Sequence, residues 1–445
     1  MGTLILLGQL FLSLSILIVL HEFGHFLPAR LFNTRVEKFY LFFDPYFALF
    51  KKQIGETEYG IGWLPLGGYV KISGMIDESL DTEAMKEPPK PYEFRSKPAW
   101  QRLIIMLGGV TVNFILGFLI YGMVLFTWGE SKLPIQQVND KYGFHADSFA
   151  MKLGFKTGDK ILSIDNEEVE SVRRLRLHIF LNESKTAQVI RDGSQRDVQI
   201  PEELTGKLAS YKGGFLTPRF PFVADSVFVG KAAEKGGLKK NDKVIGVDGK
   251  SIQYFDEFRT HLKSKKGEEI NVMVLRNESD TANLAMKVDE EGLVGVLPIA
   301  PNKYYTEDVT TYGFGDAMIS GVDKSLEFLY VQINAFGQMF RGKVEASESL
   351  GGFGSIGKMF GYDWDWRNFW FMTAVLSLIL AFMNLLPIPA LDGGHVMFLL
   401  WEMITGRKPS DKFMEYATIV GFVIVFGLVL YANGLDLLRG LGWID

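Results

Sequence analysis

The sequence predicts a multi-span α-helical membrane protein. It has four transmembrane helices, a cytoplasmic-side membrane-associated β-hairpin after the first, and two β-rich domains inserted between the second and third. Three observations carry this prediction. First, 47% of the 445 residues are hydrophobic and the mean hydropathy is positive, which puts a membrane class ahead of a soluble one. Second, four apolar runs are long enough to cross a bilayer. Third, a stretch between the second and third runs repeats itself at an offset of 83 residues.

The first element, residues 1–31, is uncharged from Leu4 to Leu20, and its apolar character resumes around His21-Glu22-Phe23-Gly24-His25 as far as Leu31. It has no basic leader and no clear small-x-small cleavage site, so it reads as a span and not as a secretory signal peptide. Residues 32–101 form a loop. Within it, Tyr59 to Trp63 and Gly68 to Ile72 read as strands separated by Pro65-Leu66-Gly67. A membrane-associated hairpin is expected here, with an edge able to pair with extended backbone, the alternative being an ordinary cytoplasmic sheet. The second span occupies residues 102–129, with its apolar run from Leu103 to Trp128.

The repeat divides the next region into 130–215 and 216–300. Ala150, Gly154, Phe155, Asp159, Lys160, Ile161, Ile164 and Asp165 match Ala233, Gly237, Leu238, Asp242, Lys243, Val244, Val247 and Asp248. Each copy offers a helix ending at glycine, a short apolar strand, a tight turn and a further strand pair. Residues 301–366 hold an apolar segment, Phe314 to Phe340, interrupted by Asp316, Asp323, Lys324 and Glu327. Those charges make it an external amphipathic helix and not a span; a fifth crossing there would reverse the direction of the third. The third span, in 367–400, runs from Phe369 to Leu386, and the fourth, in 401–445, from Ala417 to Tyr431.

Arg30, Arg35, Lys38, Lys97 and Arg102 flank the first two spans, and Arg407, Lys408 and Lys412 lie between the last two. The positive-inside rule makes both loops cytoplasmic, turns residues 130–366 outward, and runs spans one and three in the same direction. The 47 basic and 52 acidic residues leave a net charge of −5, which gives no footprint for a nucleic-acid partner. Without cysteine, any metal site must be built from carboxylates and the six histidines.

His21 and His25 stand one helical turn apart on one face, able to share a metal, with Glu22 about 100° round the helix beside them. Ionisable groups inside an apolar span are costly unless they serve a site that water reaches. A third ligand must lie at matching depth. His21 falls roughly 26 Å along the first helix, near the cytoplasmic edge of a core about 30 Å thick, and Asp392 falls near the same edge at the end of the third span. His395 is a competitor, whereas His145, His178 and His261 lie in the external repeats. Around Asp392, Pro387, Pro389, Gly393 and Gly394 interrupt the helix, so freed backbone groups must face protein or a wet cavity, unless the segment is a simple kink.

In this order, HEFGH in the first span, GGVTVN in the second and the run from Asn384 to Gly393 (NxxPxPxLDG) resemble the site-2 protease family. The EYGIGWLPLGGYVKISGM stretch and the tandem insert strengthen the resemblance, which covers nearly the whole chain. The insert copies, the second above all, resemble bacterial PDZ domains, which bind extended peptides at a sheet edge. One departure is Phe42-Phe43-Asp44-Pro45, where a glycine-containing turn would be expected. The resemblance implies an intramembrane zinc metalloprotease of the bacterial inner membrane, with Zn²⁺ on His21, His25 and Asp392 and Glu22 as the proton carrier. It further implies that Asn384 hydrogen-bonds substrate backbone. Substrates would be single-pass transmembrane proteins already trimmed outside the bilayer, of anti-sigma-factor type, and remnant signal peptides. Two other classes stay open on the residues alone: a membrane metal transporter using the same ligands, and a tandem scaffold with a structural zinc.

Overall fold

The computed structural model describes residues 1–65, 67–75, 88–208, 211, 213–277, 279–342, 347 and 350–443. The chain divides into two units: Met1–Gly129 with Thr311–Asn334 and Ser349–Asp445, and Glu130–Thr310 with Ala335–Glu348.

The first unit is helical with one sheet. Its helices are α1 (Gly2–Leu31), α2 (Ala99–Trp128), α3 (Phe314–Phe340, of which the residues from Ala335 belong to the second unit), α4 (Phe353–Phe360), α5 (Trp366–Leu385), α6 (Asp392–Thr405) and α7 (Asp411–Gly440). Among the described residues, α1, α2, α5 and α7 are long and apolar enough to cross a membrane, and α3 is not among those four. At about 1.5 Å per residue even the 20-residue α5 spans roughly 30 Å, the depth of a hydrocarbon core.

Small residues set the helix spacing. A Cβ on Gly24 of α1 would overlap the carbonyl of Gly108 on α2, and one on Gly108 would overlap that of Gly24, so these two backbones touch. Higher up, the Thr373 hydroxyl of α5 donates to Ser13 of α1 at 3.0 Å, and Ser377 donates to the backbone carbonyl of Asn113 on α2 at 2.7 Å. These two hydroxyls inside the bundle thus have partners on neighbouring helices, as burial away from water requires.

The third span does not continue as a helix through its proline-glycine run. α5 stops at Leu385 because Pro387 has no N–H to extend the ladder and disfavours helical backbone before it. The chain doubles back through Leu386 to Leu391 and restarts as α6 at Asp392. Gly393 and Gly394 are required there: a Cβ on either would overlap the backbone of Leu385 and Leu386 or of Ile388 and Pro389. The segment is therefore a full break with a second helix after it, and not a kink.

Between α1 and α2 lies a sheet of β1 (Val36–Leu41), β2 (Phe43–Ile54), β3 (Thr57–Leu64) and β4 (Tyr69–Ile72), in the order β2-β3-β1-β4. The hairpin differs from the sequence expectation. The strands at 59–63 and 68–72 do not pair with each other; β1 lies between them, parallel to β3 and antiparallel to β4. The true hairpin is β2 with β3, reversed at Gly55, whose positive φ suits a two-residue turn. Tyr59 meets Phe39 of β1 and Phe26 of α1, a contact that local alternation of residue types does not specify. Leu66 lies outside the described residues. The Phe42 to Pro45 departure is resolved without glycine: Phe42 and Tyr46 adopt positive φ, and the β2–β3 register shifts between Phe43 and Phe50.

In the second unit the internal repeat is realised element by element. Strand Lys160–Ile164 is matched by Lys243–Val247, helix Val172–Leu181 by Phe255–Ser264, and the hairpin 186–199 by 269–287. Each half keeps one buried ion pair: Arg191 clasps Asp159 and the Gly154 carbonyl, as Arg276 clasps Asp242 and the Gly237 carbonyl. The halves meet at Asp256, whose carboxylate lies 3.5 Å from His145 of the first half and is bonded by Arg219, itself stacked 3.8 Å over the Tyr254 ring. Burial alone would raise the Asp256 carboxyl, but His145 and Arg219 outweigh it and hold the group below its ordinary range.

Candidate metal centre and active site

α1 delivers His21 and His25 on one face, and α2 fixes the second of them. His25 Nδ1 donates to the carbonyl of Ile105 at 2.9 Å. A carbonyl accepts only, so the proton sits on Nδ1 and the Nε2 lone pair is left for another partner. Nε2 of His25 lies 3.3 Å from Nε2 of His21. Gly109 of α2 makes room for both rings: a Cβ there would overlap His25 Nε2 and come within 2.7 Å of His21 Cε1. Asn113, one turn further along α2, places its amide 3.1 Å from His21 Nδ1.

The break after α5 brings Asp392 to the same place. Its Oδ2 lies 3.4 Å from Nε2 of His21 and 3.4 Å from Nε2 of His25. That oxygen is buried and has no hydrogen-bond partner within normal distance. Three donor atoms thus form a triangle with sides of 3.3, 3.4 and 3.4 Å. A tetrahedral zinc with ligands at about 2.0–2.1 Å has edges of about 3.3–3.4 Å, so the arrangement fits that ion and leaves the fourth corner open. The orphaned carboxylate oxygen supplies the negative charge a cation would take up.

The other expected residues fall around this triangle. Glu22 lines the same cavity beside the triangle, with its side chain close to Gly68 of the loop that leads into β4. Asn384, in the last turn of α5, has Nδ2 at 3.4 Å from His21 Nε2. All of them line a cavity of about 690 Å³ together with Tyr69, Val70 and Ile72 of β4. His395 also lines the cavity, one turn beyond Asp392, but it is not one of the three convergent groups found among the described residues. His145, His178 and His261 belong to the second unit and face Asp256, Glu167 and Asp248. Sequence reasoning missed Ile105, Gly109 and Val70 as site-builders. Gly109 and Asn113 appeared only within the GGVTVN stretch, with no role of their own.

β4 is an edge strand, with one side bonded to β1 and the other turned to the cavity. Beside it, the Tyr69 hydroxyl donates to Asp44 at 2.7 Å, and burial together with that carboxylate pushes its phenol well above the ordinary range. Lys38 closes the same cluster at 3.5 Å from Asp44.

A cavity with convergent donors beside a helix-borne carboxylate, within a unit that carries membrane-crossing helices, belongs to a multi-pass membrane metalloprotease of site-2 type, an enzyme acting on protein substrates in a lipid setting. The chain belongs to peptidase family M50, whose model matches residues 9–428. Similar proteins include Protease RseP of Yersinia pestis and the Regulator of sigma-E protease RseP of Escherichia coli K12. Each is 28% identical to this chain, covering 96% of it and 97% of the relative. A Neisseria meningitidis serogroup A protein named as a zinc metalloprotease is also 28% identical, over 97% of this chain and 98% of its own length. The transporter and scaffold readings give way to the protease.

Proposed function

We propose that His21, His25 and Asp392 hold a zinc ion, and that the chain hydrolyses peptide bonds within transmembrane segments of single-pass proteins. The observation that supports this most is the triangle of Nε2, Nε2 and Oδ2, whose sides match a tetrahedral zinc edge. A zinc ion held by these three residues would supply Lewis acidity toward water and toward the scissile carbonyl. Glu22, adjacent but not part of the triangle, takes the proton of the attacking water and passes it to the departing amine. Asn384, at the cavity wall, orients substrate backbone by hydrogen bonding.

A helical substrate has its carbonyls bonded and shielded, so it must be unwound before attack. The β4 edge offers a strand to pair with extended backbone next to the site, which is recognition by strand addition. The two halves of the second unit are PDZ-like domains, with boundaries at 130–215 and 216–300, on the periplasmic side of an inner membrane. There they act as a size filter that excludes untrimmed substrates. The Escherichia coli relative is named for sigma-E regulation. For this chain we infer a corresponding role, with anti-sigma-factor-type proteins and remnant signal peptides as substrates.

The deciding experiment is Glu22→Gln in the purified full-length protein, assayed for zinc content and for cleavage of a transmembrane peptide. Zinc should be retained at one equivalent while cleavage falls by about 10²–10⁴-fold, the usual contribution of a positioned acid–base group. Undiminished cleavage would remove Glu22 from the mechanism.

A further inference from the structure

The two histidines differ in how their protons are fixed. For His25 the matter is closed by a backbone carbonyl, that of Ile105, which can only accept. For His21 the group facing Nδ1 is the side-chain amide of Asn113, at 3.1 Å. An amide has a donor end and an acceptor end, and a half-turn about χ2 exchanges them. The two choices have opposite consequences. With Nδ2 toward the ring, Nδ1 must accept, the proton moves to Nε2, and Nε2 has no lone pair for an ion. It would then direct its hydrogen to Oδ2 of Asp392 at 3.4 Å or Nε2 of His25 at 3.3 Å, an arrangement that holds the two side chains together but excludes an ion. With Oδ1 toward the ring, Nδ1–H donates and Nε2 is free to bind.

Two further observations bear on the choice. Asn113 is fully buried, and its Oδ1 has no hydrogen-bond partner when Nδ2 faces the ring. Its backbone is also held, because its own carbonyl accepts the Ser377 hydroxyl of α5 at 2.7 Å. The residue is therefore fixed where α1, α2 and α5 meet, two turns along α2 from the carbonyl that serves His25.

We propose that Asn113 is a positioning residue for the metal: its Oδ1 accepts the Nδ1–H of His21 and so keeps Nε2 as the ligand. This rests on the reading that His21, His25 and Asp392 bind zinc. In this account α2 supplies both outer partners, a carbonyl from the main chain for one imidazole and a carbonyl from a side chain for the other. Loss of such a partner typically weakens metal affinity 10–100-fold.

The test compares zinc affinity, by competition with a chromophoric chelator, in the full-length detergent-solubilised protein and in Asn113→Leu, Asn113→Ala and Asn113→Asp. Helical circular dichroism and a single gel-filtration peak select the variants that are folded. Leu and Ala, which lack an acceptor, should bind about 10–100-fold more weakly. Asp, which keeps an acceptor and removes the donor altogether, should bind at least as tightly as the unaltered chain. The visible spectrum of bound Co²⁺ should be unchanged in Asp and altered in Leu or Ala. A packing role alone would give the opposite order, since Leu suits an apolar interior better than Asp. Leu or Ala binding as tightly as the unaltered chain, or Asp losing as much as they do, overturns the assignment. His25→Ala separates the two ideas: if it binds zinc undiminished, the metal site itself is wrongly placed.

Discussion

Gly109 shows how little freedom the site allows. Alanine is worth about 1 kcal/mol over glycine in a helix interior, so Gly109→Ala should leave α2 intact or firmer. Its methyl group, however, would occupy the space of His25 Nε2. Zinc content measured by atomic emission should therefore fall sharply while helical content by circular dichroism does not; full zinc occupancy would show that the rings lie elsewhere. At this scale the sequence was informative wherever a residue was costly. His21, Glu22, His25 and Asp392 stood out because ionisable groups in apolar spans demand a reason. Gly109 and the Ile105 carbonyl carry no such signal: a glycine in a span is common, and every residue has a carbonyl.

At the scale of elements, the edge of β4 is the feature most open to test. β4 is bonded to β1 on one side only and Val70 lines the cavity, so Val70→Pro takes a backbone donor from the strand nearest the site. Cleavage of a transmembrane peptide should drop by about tenfold or more with zinc content unchanged; equal loss of both would count against strand addition. The existence of these strands was legible from alternation and turn residues. Their order was not, because β1 enters between β3 and β4 through aromatic contacts with α1 that come from distant parts of the chain. The break between α5 and α6 was legible as an interruption. That it folds back far enough to start a new helix depends on Gly393 and Gly394 meeting backbone closely, which the letters alone do not state.

For the whole molecule, the 83-residue repeat was the clearest long-range message, because matching strands start at that offset and an Asp–Arg clasp recurs in each half. If these halves filter substrates by size, deleting residues 135 to 300 should allow cleavage of a full-length, untrimmed substrate. Reconstituted vesicles and a gel shift of the product would read this directly, and continued dependence on prior trimming would contradict the filter. The four helices long and apolar enough to cross were legible from hydropathy, and Phe314–Phe340, with its charges at short intervals, is not among them.

The contact between Gly24 and Gly108 has a mechanical corollary. Where two main chains touch with no side chain between them, their separation is set by hard atomic radii and not by compressible packing. A bilayer that thins or thickens can tilt this helix pair as one body. It cannot widen the gap beneath the imidazoles without first pulling the main chains apart. The spacing of the two imidazoles from α2 is thereby tied to main-chain contact, whereas Asp392, carried by α6, is held by the separate glycine contacts of its own turn.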